Sequence, residues 1–509
     1  VACAVVPEPL LLPTGVIATA SVAIGPVDGL IVVLYLLATT VFGVMLGRGQ
    51  TNNRDYFLGA HRLPTWALLV SIVATETSTV TFLSIPGKTF VESGSFVFLQ
   101  IAFGYIVGRL AVIMFLLPGY FRGEMLSAYQ VLEQRFGVRT RRLASLVFLV
   151  TRNVADGLRL FLTAMALNIA LGLDMFMSIL ITTIATAIYS AAGGVRSVVW
   201  NDCIQFAVYM LGAFVAAYLL LAELPGGWEQ LVAFGVATGR WQLFDFDPSL
   251  TKPTMTFWSG VVGGAFLSLA THGVDQLIVQ RYLCARSRAA ASWALGLSGV
   301  VVLAQFALFL FIGVALAAFN EATGGIGSNV SGDQALMKYV INHMGVGLKG
   351  LVLAAVLSAA MSTLASSLNS SASSLIGDWI VPLQPSLDER RSLFLSRLFT
   401  IFFAAVQCGV ALGALWLARE QAIVDAVLTV AGFAIGLLLG LYALGLMAPR
   451  VSEHVALIAF VVSAAVTCVA AFATPLNGYW YTLVGSGTVV ITGLILGATV
   501  DRHSNIASL

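Results

Sequence analysis

Apolar runs of about 20 residues recur along the whole chain, and each is long enough to cross the hydrocarbon core of a bilayer as a helix. Lipid cannot satisfy open backbone groups, so spanning segments of this length must be helical. Composition agrees. Of 509 residues, 59% are hydrophobic and only 10% charged, against about a quarter charged in soluble domains. Mean hydropathy is +0.94. The chain reads as an all-α polytopic protein of the cell membrane. A net charge of +2 with no basic patch argues against a nucleic-acid partner. Cys3, Cys203, Cys284, Cys408 and Cys468 show neither CxxC nor metal spacing and read as small apolar core residues. No HExxH motif, phosphate-cradling glycine loop or nucleophile–base constellation is present, which argues against an enzyme.

Hydropathy predicts thirteen spans, at about 27–46, 64–86, 95–117, 143–171, 174–193, 199–222, 257–280, 293–319, 348–376, 393–418, 424–446, 453–473 and 482–499. Residues 1–26, broken by Pro7, Pro9 and Pro13, read as an extracytoplasmic leader, and 27–509 as one domain. Arginines set the orientation. Arg48, Arg54, Arg62, Arg139, Arg141, Arg142, Arg196, Arg281 and others share one set of loops, leaving the opposite set poor in cations. The bias is roughly 17 against 6, which places the N-terminus outside and the C-terminus inside. The longer outside loop at about 320–347 contains "SGDQALMKYVINHM", a short external helix. Gly193-Gly194 reads as a tight cytoplasmic turn.

Two spans share an interruption. "WALLVSIVATETSTVTFLSIPG" carries a polar knot at Thr75–Thr79, and "FWSGVVGGAFLSLATHGVDQLIVQRY" carries one at Thr271–Gln276. Each opens a block of five spans. Interrupted helices in corresponding positions of two halves point to an inverted-repeat transporter with its site at the midplane. The alternative is two ordinary helices with polar interior faces.

Charges at bilayer depth cost about 2.5–3.5 kcal/mol each on insertion scales and default to functional candidates. Glu76 lies in the first knot, and His272 and Asp275 in the second. Arg109 reads as a structural or snorkelling cation. Arg152, Asp156 and Arg159 fall at i, i+4 and i+7, which puts them on one helical face. They form either an internally paired network or, with Glu76, part of a cavity that meets opposite ends of a polar solute. His272 and Asp275 alone make a poor metal site.

The stretch "AAMSTLASSLNSSASS", 359–374, is dense in hydroxyls for a spanning helix. At 100° per residue, Ser362, Ser366, Asn369, Ser370 and Ser373 share one side, opposite Met361, Leu364, Ala365, Leu368 and Ala372. Small polar residues help helices approach, but the density suits a hard monovalent cation. Such an ion takes neutral hydroxyls together with carbonyls freed by an unwound partner helix.

Several segments together resemble the sodium/solute symporters, a family that includes bacterial proline, sialic acid and sugar symporters and human glucose, iodide and vitamin carriers. They are "DYFLGAHRLPTWALLVSIVATETSTVTFLSIPG", "YQVLEQRFGVRTRRLAS", "YSAAGGVRSVVWNDCIQ", "DQLIVQRYL" and "LKGLVLAAVLSAAMSTLASSLNS", and the likeness runs from about residue 26 to 450. It implies a LeuT-type fold: a leading helix at 27–46, inverted five-helix repeats at 64–222 and 257–446, and two C-terminal helices at 453–499. It also implies a Na⁺ site formed by the carbonyls of Ala74, Thr77 and Ala359 and the hydroxyls of Ser362 and Thr363. A second sodium, in the members that have one, would use Asp202, Ser362 and Ser366, but Ala365 stands where one serine would be. The alternative is that Asp202 only tunes the first site's field. The solute pocket would take Glu76, Gln100, Arg152, Asp156, His272 and Asp275, with Arg152 close to the arginine that meets a carboxylate in the sialic acid branch. Glu76 and Asp156 stand where sugar carriers have amides, which favours a charged or zwitterionic solute over a hexose. The expectation is a sodium-coupled symporter importing a small polar solute by alternating access. The other reading is an uncoupled channel or receptor-like membrane protein.

Overall fold

The computed structural model describes residues 25–506 except 124, 328, 329, 385 and 418–420. Most of the leader at 1–26, with Cys3, lies outside the described residues. Among the described residues each predicted span falls on helix, two of them in two pieces. The long helices are α1 (Pro26–Leu46), α2 (Thr65–Glu76), α3 (Thr79–Phe90), α4 (Phe96–Tyr120), α5 (Val138–Leu171) and α6 (Met175–Glu223). They continue as α7 (Ser259–Gly273), α8 (Gln276–Leu283), α9 (Arg288–Thr323), α10 (Leu348–Leu375), α11 (Glu389–Leu417), α12 (Gln421–Met447), α13 (Glu453–Ala473) and α14 (Tyr481–Ile506). The predicted external helix forms at Gly332–His343. Among the described residues, eight helices are long and apolar enough to cross a membrane. Two bent pairs, Asn53–His61 with α2 and α7 with α8, pass the same test together.

The polar knots are real breaks. α2 stops at Glu76 because Thr77 (φ −83°, ψ 103°) and Ser78 (φ −96°, ψ 172°) are extended. Ser78 then caps α3, its hydroxyl accepting from the Thr81 N–H while the Thr81 hydroxyl answers the Ser78 N–H. The second break follows Gly273. Asp275 caps α8 by accepting from the Leu277 N–H at 2.9 Å, and the two pieces are bent by 59°. Two glycines of α4 let α7 approach: a Cβ on Gly104 or Gly108 would lie 2.5 or 2.4 Å from the carbonyls of Val261 or Ala265.

α6 has 49 residues, about 74 Å if straight and far more than a bilayer needs. It breaks at Gly194 (φ 54°, ψ −155°), the predicted glycine turn. The Tyr56 hydroxyl lies 3.3 and 3.2 Å from the Ser190 and Ala191 carbonyls exposed there, and Gln50 Nε2 donates to the Gly193 carbonyl at 2.6 Å. Buried carbonyls at a kink need such partners.

α10 is the core of the molecule. In its most apolar 18-residue window 94% of the residues are buried, against 22% in α1. It packs on α1, α2, α3, α5, α6 and α11. Both its hydroxyl side and its apolar side are therefore buried, the first against broken and polar helices, the second among Met361, Leu364, Ala365 and Leu368. Its N-terminus is held by buried Asp28 of α1, whose Oδ1 accepts from the Gly347 and Gly350 N–H groups at 2.7 and 2.8 Å. A carboxylate suits the positive end of a helix dipole. The cysteines divide: Cys284 and Cys408 are buried and Cys203 half-buried as expected, but Cys468 is exposed.

Gly194→Ala should be disruptive. Its Cβ would lie 2.4 Å from the Tyr56 carbonyl, in a conformation that L-residues rarely adopt. The expected loss is about 2 kcal/mol or more, read as a lower unfolding temperature of the purified protein. An unchanged transition would show that the kink does not need glycine.

Candidate functional site

The break between α2 and α3 faces α10 directly. A helix end leaves its last carbonyls without intrahelical partners, and two of these carbonyls accept from α10. Ser362 Oγ donates to the Ala74 carbonyl at 2.8 Å and lies 3.1 Å from the Ala359 carbonyl. Thr363 Oγ1 donates to the Thr75 carbonyl at 3.0 Å, with the Ala359 carbonyl at 3.5 Å. Four of the five predicted ion ligands, Ala74, Ala359, Ser362 and Thr363, thus meet in one small volume of neutral oxygens. The fifth was expected to act through the Thr77 carbonyl; the Thr77 hydroxyl donates to the Val73 carbonyl at 3.0 Å and pairs with Gln305. Sequence reasoning missed the Thr75 carbonyl, which the structure places at Thr363. Hard oxygen donors of this kind fit Na⁺.

A second cluster lies one turn further along α10. Asp202 Oδ2 accepts from Ser71 Oγ at 2.5 Å and lies 3.5 Å from Thr75 Oγ1, and Thr75 meets Ser366 at 3.0 Å. Arg281 closes the group: its guanidinium donates to Ser366 and to Ser71 at 3.0 Å, and stands 3.6 Å from Asp202. Both charges are fully buried. The positive-inside reading had placed Arg281 in a cytoplasmic loop; α8 carries it into the core instead. Arg141, assigned to the same loops, is also buried. It pairs with Asp378 at 2.7 Å and with Glu133. A positive charge counts as a loop residue only if it has no acid to meet inside, and window hydropathy cannot see an acid that is distant in sequence.

The remaining charges form two locally balanced groups. Glu76 pairs with fully buried Arg109 and lies 3.5 Å from His272 Nε2, so Arg109 takes the structural role expected of it. On α5, Asp156 accepts from Arg152 at 2.6 and 3.0 Å and from Arg159 at 2.6 Å. Arg152 also reaches Asp275 at 3.5 Å, which joins α5 to the α7–α8 break. His272 and Asp275 therefore belong to different clusters. Buried Gln100 joins neither: its amide bonds the Val97 carbonyl at 3.0 Å and accepts from the Asp245 N–H at 3.4 Å, under the loop that carries Asp245. Thr163, one turn beyond Arg159, touches Thr79 at the start of α3 at 3.3 Å, so this face of α5 looks toward the first break.

The other end of α10 is sealed. Ser373 donates to the Leu126 carbonyl at 2.7 Å and Ser374 to Asp378 at 2.7 Å. Ser371 accepts from Asn153 at 3.0 Å. The later serines pack against neighbours in this conformation.

This geometry has a match. The family model for the sodium:solute symporter family covers residues 56–463. The chain belongs to that family. The symporter is 29% identical to the sodium/sialic acid symporter of Proteus mirabilis over 475 residues, 91% of this chain and 92% of that one. It is 27% identical to human sodium-coupled monocarboxylate transporter 1 over 84% of this chain and 70% of that one. The structure of a Na⁺-coupled sialic acid symporter in a substrate-bound, outward-open state superposes with a TM-score of 0.85 at 26% identity, covering 93% of this chain and 98% of that chain. The fold is accordingly of the LeuT type, and the protein is an integral membrane transporter rather than an enzyme. As a symporter of this family it couples solute movement to Na⁺.

Arg109→Met should leave the Glu76 carboxylate buried without its principal partner. The expected cost is about 3–5 kcal/mol, seen as a large fall in unfolding temperature, and Glu76→Gln in the same chain should recover most of it. Equal stability of the two variants would show that the pair is not a unit.

Proposed function

We propose that the symporter imports a small organic anion with one Na⁺. The observation that carries this reading is the meeting of the Ser362 and Thr363 hydroxyls with the carbonyls of the α2 break. In the proposal Ala74, Thr77 and Ala359 supply carbonyls and Ser362 and Thr363 hydroxyls to the ion, with the Thr75 carbonyl added. Because the ligands come from α2 and α10, a bound ion ties a broken helix to the central one, which is the link alternating access needs.

The rest of the architecture supports this. We read thirteen crossings, with the N-terminus outside, the C-terminus inside, and inverted repeats at 64–222 and 257–446 opened by the two broken helices. α5, a helix of 34 residues, is one of these crossings, and α6 becomes two crossings at Gly194. The leader at 1–26 precedes them.

Asp202 and Ser366 favour a single ion. Arg281 already provides a cation between them, and Ala365 offers no side-chain oxygen. One Na⁺ with a monoanion carries no net charge. A second Na⁺ would add a charge worth about 2.3 kcal/mol per 100 mV.

For the solute, Arg159 is the most exposed of the acid-paired arginines. Its side chain is 34% exposed, and among the described residues Asp156 is its one side-chain partner. Arg152 is already engaged by two carboxylates. A carboxylate would meet the remaining donors of Arg159, with Glu76, His272, Asp156 and Asp275 shaping the cavity. Relatives named for sialic acid, monocarboxylates and iodide support an anionic solute.

Proteoliposomes test the reading. Ser362→Ala or Thr363→Ala should raise the Na⁺ concentration for half-maximal uptake about tenfold or more, the effect of losing one ligand to a charge. Sodium dependence unchanged in both would sink the site. Arg159→Gln should raise KM for a monocarboxylate or sialic acid by about ten- to a hundredfold and spare the Na⁺ dependence; an unchanged KM would exclude it. Uptake of a monoanion should generate no current, whereas one charge per solute would mean two sodium ions.

A further inference from the structure

A cavity of about 400 Å³ opens where the end of α1, the turn leading into α2 and the second half of α6 converge, and its walls include Arg48, Arg62, Arg196 and Trp200. All three arginines are exposed. Among the described residues, none of the three has a carboxylate partner. In this they differ from Arg109, Arg141, Arg152, Arg159 and Arg281, which are all paired with acids. Asp55, the acid in the wall, accepts from Thr51 through the backbone N–H at 3.4 Å and the hydroxyl at 3.2 Å. The lining is left strongly positive. Three guanidiniums around one cavity are an arrangement that takes phosphate oxygens, because each offers a planar fork of N–H donors.

The walls are built, not incidental. Gln50 is pinned to the Gly193 carbonyl at 2.6 Å, and α1 comes so close to the kink that a Cβ on Gly47 would lie 2.2 Å from the Ala192 carbonyl. The turn before α2 holds Gly59, Ala60 and His61 at φ 56°, 52° and 53°. Ala60 and His61 are the two non-glycine residues with positive φ among the described residues. Left-handed backbone in such residues costs energy and tends to persist where function requires it.

The surroundings indicate the source of the phosphate. Trp200 stacks edge-on with Trp66, ring centroids 5.4 Å apart, and Trp66 is 55% exposed. Val41 and Met45, in the last two turns of α1 before Arg48, are also exposed. Tryptophans gather at the headgroup level of a bilayer, and basic pockets between spanning helices hold anionic headgroups. We propose that this cavity binds the phosphate-bearing headgroup of an anionic phospholipid, its acyl chains lying along α1 and the Trp66 surface. The lipid bridges the end of α1, the entry to broken helix α2 and the α6 kink, so its binding stabilises this arrangement of the three. The inference is independent of which solute is carried and of how many sodium ions accompany it.

The test is thermal unfolding of the detergent-purified symporter titrated with phosphatidylglycerol, phosphatidylcholine or inorganic phosphate, with native mass spectrometry counting retained lipid. Phosphatidylglycerol should raise the unfolding temperature and be retained, and the other two should not. Each arginine near an anionic group contributes roughly fivefold, so Arg62→Gln with Arg196→Gln should weaken the phosphatidylglycerol effect about 25-fold. Arg62→Lys with Arg196→Lys should keep most of it, which guards against a folding defect in the glutamine pair. Arg390→Gln, an exposed arginine outside the cavity, should behave as the parent. A phosphatidylglycerol effect that is absent, or equal in all variants, overturns the site. Equal stabilisation by inorganic phosphate overturns the lipid assignment.

Discussion

A backbone carbonyl inside a membrane must have a partner, and the structure is organised around the places where helices break that rule. α2 ends at Glu76 in the middle of a span, and two of its free carbonyls, on Ala74 and Thr75, are met by the hydroxyls of Ser362 and Thr363. That requirement places α10 beside the break. It also explains why α10 is buried on every side and why its N-terminus is held by Asp28. Carbonyls that hydroxyls can satisfy are also carbonyls that a Na⁺ can share. The same chemistry that keeps the broken helix folded therefore makes an ion site.

Charge follows a parallel rule. Several buried carboxylates and guanidiniums come in small groups that nearly balance: Glu76 with Arg109, Asp156 and Asp275 with Arg152 and Arg159, Asp202 with Arg281. Pairing lets charges reside at bilayer depth. Each group also ties separate elements together. Arg152 links α5 to the second break, and Arg281 links α8 to α2, α6 and α10. A movement that opens the solute path must move these groups as units or exchange their partners. The half-exposed Arg159 is the cation least committed to the frame.

Much of the fold was legible. The apolar runs located the long helices, the polar knots located both breaks to within a residue or two, and Gly193-Gly194 located the kink in α6. These are local signals: a run of threonines, a glycine beside an aspartate, a pair of glycines. Arg281 and Arg141 were misplaced because their partners, Asp202 and Asp378, are far away in sequence. Gln100 was grouped with the charged cavity but binds the backbone groups of Val97 and Asp245. Thr75 was passed over because nothing in a threonine marks its carbonyl as the one that Thr363 will meet.

By itself the sequence determined that the chain spans a membrane as helices, that two of them are interrupted, and that a hydroxyl-rich helix faces a polar partner. Those outcomes follow from hydropathy, helix periodicity and backbone satisfaction, which act over a few turns. Only the tertiary structure decided which carbonyl each hydroxyl meets, that Arg281 sits at Asp202 and Ser366, and that three loop arginines surround one cavity. Hydrogen bonds and ion pairs depend on distances of a few ångströms between residues hundreds of positions apart, and those distances exist only once the helices have packed.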